Sequence, residues 1–234
     1  MSDTRGPSDR PIGIRSYVLR SGRFTDAQKN ALERLYPRYG VAWEPGRRVD
    51  SASLFGVEAP FVVEIGFGMG LATADIAEAL PDRSFLGLEV HAPGVGKLLS
   101  EIERRGLSNL RVLRHDAIEV VDSMLAPGSV DGFHIFFPDP WPKKRHHKRR
   151  LISPDFSAAL AGRLKPGGYV YFVTDWAEYA DAALAVLSAT PGLANAYDRW
   201  ADREPWRPVT KFEARAIHDG RPIRELKFLK SGVS

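Results

Sequence analysis

Cysteine is missing from all 234 residues of this chain. That excludes disulfides, thiolate metal centres, iron–sulfur clusters and a cysteine nucleophile, with radical-type adenosylmethionine chemistry among them. Long apolar runs are missing too. No stretch approaches the roughly 20 residues that span a bilayer, and Met1 to Arg20 lacks the apolar segment of a secretory signal. The expectation is a cytoplasmic protein with no membrane partner. No internal repeat and no dividing linker interrupts the sequence, so one domain over residues 1–234 is expected, with residues 1–12 as a disordered polar tail. Charge of neither sign dominates: 33 Lys and Arg against 29 Asp and Glu leave +4.

What is present is an ordinary globular composition, 44% apolar and 26% charged. Chains of this length in an α/β fold bury roughly 75% of their unfolded surface. Thr25 with Gln28 forms a capping box ahead of a helix carrying Ala31, Leu32, Leu35 and Tyr36, ended by Pro37. Strands are expected over Phe61 to Ile65, Ser84 to Val90, Leu110 to Arg114 and Val130 to Phe137. Helical spacing fills Leu71 to Leu80 and a stretch ending near Arg105. Ser153 and Pro154 read as N-cap and first residue of a helix with the stripe Phe156, Ala159, Leu160 and Leu164. Lys165 to Gly168 ends it and launches a strand, Tyr169 to Thr174; a helix over Trp176 to Ala189 follows. A strand over Ala194 to Trp200, a short helix over Phe212 to Ile217 and a strand over Ile223 to Lys230 complete the reading. Such alternation predicts a mostly parallel sheet with helices on both faces.

In open α/β sheets, ligands sit beyond the carboxyl ends of the strands. The first of these buried strands ends in Glu64-Ile65-Gly66-Phe67-Gly68-Met69-Gly70, whose glycines permit a tight turn and close approach to a ligand. A carboxylate here would repel a pyrophosphate but suits a carrier of sulfonium and ammonium groups. Glu89 ends the second strand, where a ribose diol is usually held, and Asp116 follows the third, placed to accept from an adenine amine. Taken singly, each has a plainer reading: a strand-to-helix connection for the glycines, a solvated strand end or helix cap for the acids. Their succession at neighbouring strand tips favours a cofactor site for S-adenosyl-L-methionine.

The fourth strand runs into Phe137-Pro138-Asp139-Pro140-Trp141-Pro142, where flanking prolines are expected to hold Asp139 in an extended, pre-organised turn. Directly after it, Lys143, Lys144, Arg145, Lys148, Arg149 and Arg150 fall within eight residues, with His146 and His147 between them. Alone, such a run is a solvated face or a localisation signal; beside an active-site turn it reads as a clamp for phosphates. The surrounding cations argue against the two histidines as metal ligands, and no metal is expected. Thr210-Lys211-Phe212-Glu213, in isolation, reads as an N-cap, a surface cation, a core aromatic and a first-turn acid.

Taken with these motifs, the chain closely resembles the bacterial tRNA (guanine-N7-)-methyltransferase family of the TrmB type. The resemblance is carried by RSYVLRSGRFT (Arg15 to Thr25), EIGFGMG (Glu64 to Gly70), LEVHAPGVG (Leu88 to Gly96), FPDPWPKKRHHKRR (Phe137 to Arg150), FVTDW (Phe172 to Trp176) and TKFEARA (Thr210 to Ala216). It implies a class I S-adenosylmethionine-dependent methyltransferase fold, Rossmann-like, with a seven-stranded sheet whose last strand is reversed. It implies methylation of N7 of a variable-loop guanosine, with tRNA as partner; whether the chain is a monomer or homodimer is left open by the sequence. Glu64, Glu89, Asp116 and Asp139 match cofactor positions, Asp139 also the catalytic one. Lys143, Asp175, Thr210, Lys211, Phe212 and Glu213 match substrate positions, and Arg145 to Arg150 the RNA contact. On this reading Glu213 accepts from the guanine edge and Lys143 donates to O6 or a phosphate. The rivals are a methyltransferase of an exocyclic base amine in RNA or DNA, a non-catalytic RNA-binding module, and, more distantly, a nicotinamide-dependent oxidoreductase.

Overall fold

Apolar runs of strand length alternate with stretches of helical spacing, and the computed structural model, which describes residues 16–17 and 24–232, builds them in that order. The tail over residues 1–12 and most of the stretch from Arg15 to Arg23 lie outside the described residues. The elements are α1 (Asp26–Tyr39), β1 (Gly40–Val41), α2 (Ser51–Phe55), β2 (Phe61–Ile65), α3 (Leu71–Ala79), β3 (Ser84–Leu88), α4 (Ala92–Arg105), β4 (Leu110–Leu113), α5 (Ala117–Met124) and β5 (Val130–Phe136). A 3-10 turn (Lys144–Arg149) then precedes α6 (Pro154–Arg163), β6 (Leu164–Thr174), α7 (Ala177–Ser188), β7 (Leu193–Asn195), α8 (Lys211–His218) and β8 (Arg224–Lys230).

The strands lie in the order β1-β4-β3-β2-β5-β6-β8-β7. From β1 to β6 all pairs are parallel, and β8 runs antiparallel to both β6 and β7. This is the expected seven-stranded sheet with its last strand reversed, widened at one edge by the two residues of β1. All five positions of β2 are buried, as a strand covered on both faces requires. Val62 packs with Leu35, Ala74, Val95 and Leu98 beneath α1, α3 and α4. Phe61, Val63 and Ile65 belong to the opposite cluster with Val121, Phe156, Leu160 and Leu187 of α5, α6 and α7. On α4, Val95, Leu98, Leu99 and Ile102 are fully buried at one-face helical spacing, each side chain contributing about 1.5–3 kcal/mol.

Four details depart from the sequence reading. Pro37 lies inside α1 rather than ending it; in the last turn its missing N–H removes one helical bond at most, and the helix runs on to Tyr39. The strand expected over Ala194 to Trp200 is only Leu193–Asn195. Asn195 stops it, its amide donating to the Arg199 carbonyl at 2.9 Å and its Oδ1 accepting from the Tyr197 N–H at 3.3 Å, a side-chain turn that competes with the ladder. β6 begins at Leu164, before the Pro-Gly-Gly turn, and its pairing with β5 shifts register between Val130 and Gly132. Helices α2 and α5 had no counterpart in the reading. Among the described residues no helix is long and apolar enough to cross a membrane.

Candidate active site

Parallel pairing brings the carboxyl ends of β4, β3, β2, β5 and β6 into one row, so Asp116, Glu89, Glu64, Asp139 and Asp175 stand at or just beyond neighbouring strand tips. Glu64 pairs across to His134, two residues before β5 ends. The glycine turn and the Asp139 turn therefore leave the sheet side by side.

Gly66, Gly68 and Gly70 all have positive φ, at 77°, 60° and 73°, a region that side chains make costly. A Cβ on Gly66 or Gly68 would meet nothing within 4 Å, so their open side faces space. The other side is closed by α4: a Cβ on Gly94 would lie 1.9 Å from the Gly68 carbonyl oxygen. Glu89 braces the same turn. One carboxylate oxygen accepts from the Gly68 N–H at 2.9 Å and the other from the N–H groups of Val90 and His91 at 2.7 and 3.0 Å. Asp116 caps α5 by accepting from the Ile118 N–H at 2.8 Å.

Glu64 is only 3% exposed, and its Oε2 is buried without a hydrogen-bond partner among the described residues, as is the Oγ1 of Thr73 on α3. Burial pushes the Glu64 carboxyl up to about 8; the nearby Thr73 hydroxyl works against the shift and the Glu89 charge adds to it. A buried carboxyl with one unsatisfied oxygen beneath an open glycine turn fits a ligand that brings a cation or a donor. Beside it His134 is fully buried, its Nε2 2.9 Å from the Tyr169 hydroxyl and its ring stacked on Phe136 and Trp206. Desolvation holds that imidazole down at about 3, and hence neutral.

The turn bearing Asp139 is more constrained than the extended segment expected. Phe137 and Trp141, at its two ends, have φ of 49° and 46°, the only non-glycine residues with positive φ among those described. Such strain persists where surrounding contacts enforce it. Here the Phe137 N–H donates to the Val173 carbonyl at 2.8 Å. The Trp141 indole donates to the Ser16 carbonyl at 3.1 Å, and the Arg149 guanidinium stands 4.5 Å from its ring centre. Asp139 itself is half-buried, and its charge is felt by the Tyr179 phenol.

Beyond the turn, Lys143, Lys144, Arg145 and Lys148 are exposed, and His146, His147 and Arg149 are half-buried. Partial burial, then the cations around it, hold His146 below the ordinary imidazole range. Arg150 departs from the surface position expected: it is 6% exposed and turned toward the protein.

Toward the C-terminus, Asp175 accepts a hydrogen bond from Arg221. Thr210 caps α8, accepting from the Glu213 N–H at 3.1 Å. Lys211 is exposed, and Phe212, read in isolation as a core aromatic, is 68% exposed, because α8 buries Glu213 and Ala216 instead. Glu213 accepts from Arg203 at 2.9 Å and from both terminal nitrogens of Arg207 at 2.7 and 3.0 Å. Arg207 also donates to Glu225 at 2.6 Å, and Glu225 accepts from the Tyr171 hydroxyl. This buried network ties α8 to β6 and β8. Sequence reasoning missed Arg207 because an arginine between a tryptophan and a proline carries no sign of burial.

A family described as "Putative methyltransferase" matches residues 58–226. The tRNA (guanine-N(7)-)-methyltransferase of Paraburkholderia xenovorans is 53% identical over 220 residues, covering 94% of this chain and 84% of its own length. That of Nitrosomonas eutropha is 52% identical over 218 residues, 93% of this chain and 97% of its own. Among solved structures, the 16S rRNA methyltransferase KamB superposes with a TM-score of 0.58 at 18% identity, over 80% of this chain and 95% of that one. The antibiotic-resistance methyltransferase Kmr gives 0.56 at 18% identity, over 83% and 96%. These two likenesses bear on the fold alone.

Proposed function

This chain belongs to the tRNA (guanine-N7-)-methyltransferase family, and from that premise we propose that it transfers the methyl of S-adenosyl-L-methionine to N7 of the variable-loop guanosine of tRNA, with Asp139 at the centre of the chemistry. One observation carries the assignment of Asp139. Its turn is held in left-handed backbone at both ends, beside the open glycine turn and directly before the exposed cations.

Bound S-adenosyl-L-methionine would supply a methyl group on a positively charged sulfur. Guanine N7 has an in-plane lone pair and no proton, so no base need act before attack. The N7–methyl bond forms as the methyl–sulfur bond breaks, and positive charge passes to the imidazole ring of the base. Alignment then does most of the catalysis, for which roughly 7–11 kcal/mol is attainable. Asp139 orients the reacting groups and offsets the charge arriving on the ring. Glu64 would hold the cationic amino-acid end of the cofactor, a charge that would favour the ionised form of its carboxyl. Gly66, Gly68 and Gly70 would let the backbone approach the cofactor, Glu89 would hold the ribose with its remaining acceptor capacity, and Asp116 would accept from the adenine.

Lys143, Arg145, His146, His147 and Lys148 form the face toward the RNA, while Asp175, Thr210, Lys211 and Phe212 border the substrate side. Glu213 we assign to anchoring α8, because reading a guanine edge would cost it the two buried bonds it accepts from Arg207. The test is transfer of labelled methyl to unmodified tRNA transcripts, one with the variable-loop guanosine replaced, followed by borohydride and aniline cleavage. Scission at that guanosine in the intact transcript only is expected. Label on an exocyclic amine, or equal labelling of both transcripts, would overturn the reading.

A further inference from the structure

The cationic run that follows the Asp139 turn does not point one way. Arg150, its last member, is 6% exposed while Lys148 is open to solvent. Its Nε donates to the Pro140 carbonyl at 3.0 Å, a group inside the strained turn. Its guanidinium carbon stands 5.0 Å from the centre of the Tyr179 ring. Its Nη2 lies 3.6 Å from Glu178 and, among the described residues, has no hydrogen-bond partner. Tyr179 is fully buried, its hydroxyl accepting from the Ile152 N–H at 3.2 Å and its ring edge-on to Phe172 at 5.2 Å. Asp139 acts on that same phenol.

Resting on the methyltransferase reading above, we propose that Arg150 is a positioning residue for Asp139 and not a phosphate contact. The guanidinium is clamped between a buried aromatic face and a carbonyl one residue from Asp139. A planar fork that stacks and donates together can do this; a lysine ammonium cannot do both. Arg149 and the Ser16 carbonyl hold the Trp141 end of the turn, and Arg150 holds Pro140 from behind. The cations left facing outward are those that can reach RNA.

Arg150→Lys separates the two roles because it keeps the charge and removes the geometry. Turnover and KM for unmodified tRNA are measured at several salt concentrations, with rates referred to sites counted by tRNA binding, so that misfolded material does not enter. Arg150→Lys is expected to lower kcat about tenfold or more, with KM for tRNA within about twofold and an unchanged salt slope. Arg150→Met, which keeps an apolar stem against Tyr179, should show the same loss of kcat. Lys148→Gln, in contrast, should raise KM and reduce the slope of log affinity against log salt by about 0.7–0.9. If Arg150→Lys retains kcat within about twofold, or if Arg150→Met shifts KM and slope as Lys148→Gln does, the proposal fails. Absence of tRNA methylation by the wild type would instead count against the functional reading.

Discussion

Replacing Glu64 by glutamine should make the free protein more stable and the cofactor site worse, and the size of the first effect follows from the burial of the carboxyl. Its ordinary value of 4.5 is pushed to about 8. Below the ordinary value the carboxyl is protonated in both folded and unfolded chains and contributes nothing to the pH dependence. Between the two values the folded chain holds a proton that the unfolded chain has released, so stability falls as pH rises, by about 1.4 kcal/mol per unit. Above about 8 the loss levels off, at a total on the order of 5 kcal/mol, a large share of the roughly 5–15 kcal/mol typical of a domain. Glutamine keeps the shape and stays neutral, so the loss should vanish. Urea unfolding of wild type and Glu64→Gln from pH 5 to 9, without cofactor, isolates the term, because every other titrating group is common to both. The curves should converge near pH 5 and separate by several kcal/mol near pH 8 in favour of Glu64→Gln. Parallel curves would refute the idea that a carboxyl is buried there without a compensating charge. With S-adenosyl-L-methionine present the order should narrow or reverse, since only the ionisable residue can meet a cation.

Three further outcomes are expected. Gly94→Ala places a Cβ 1.9 Å from the Gly68 carbonyl oxygen, backbone against backbone; overpacking of about 1–3 kcal/mol should fall on the glycine turn and appear in calorimetry as a loss of S-adenosyl-L-methionine affinity. Arg207→Met leaves Glu213 and Glu225 buried without their shared partner and should cost about 3–5 kcal/mol in urea unfolding. Asp139→Asn should lower kcat on the order of 10²-fold while filter binding shows tRNA affinity intact.

Much of this molecule was legible because the features concerned have local causes. The Thr25–Gln28 capping box and the Ser153 N-cap with Pro154 are both present, since a cap needs only a side-chain oxygen and the N–H groups three residues on. Strand β2 has the bounds expected, because a buried parallel strand is an uninterrupted apolar run. Failure came where one residue serves two ends. Asp116 was read first for a ligand, with a helix cap as its plainer reading; it does cap α5, but the helix itself was not placed. Asn195 was read as lying inside a longer strand, whereas it is the last residue of β7 and its amide turns the chain. Phe212 carries an apolar side chain on the outside of a helix whose buried face is an ion pair, the inverse of the usual amphipathic pattern. Direction within a charge run is the least legible of all, because Lys148 and Arg150 differ in burial through contacts with Pro140 and Tyr179, neither of which a window of sequence relates to them.

The charges of the rim are sorted by how they are mounted. The carboxylates stand at or just beyond strand tips, where β-pairing fixes their spacing to within the stiffness of the sheet, and a cofactor of fixed shape needs that stiffness. The exposed cations sit on a 3-10 turn, on long side chains free to follow a polyanion whose phosphates vary in position. Between the two lies a turn too strained to hold itself, so the contacts that enforce it have to come from both neighbours: Val173 of the sheet at Phe137, Arg149 and Arg150 of the cationic run at Trp141 and Pro140. On the reading proposed above, the same run supplies its outer members to the substrate and its inner ones to the turn that carries Asp139. Alignment is what N7 methylation demands, since the nucleophile has no proton to lose, and on that reading the inward contacts serve it by holding this turn.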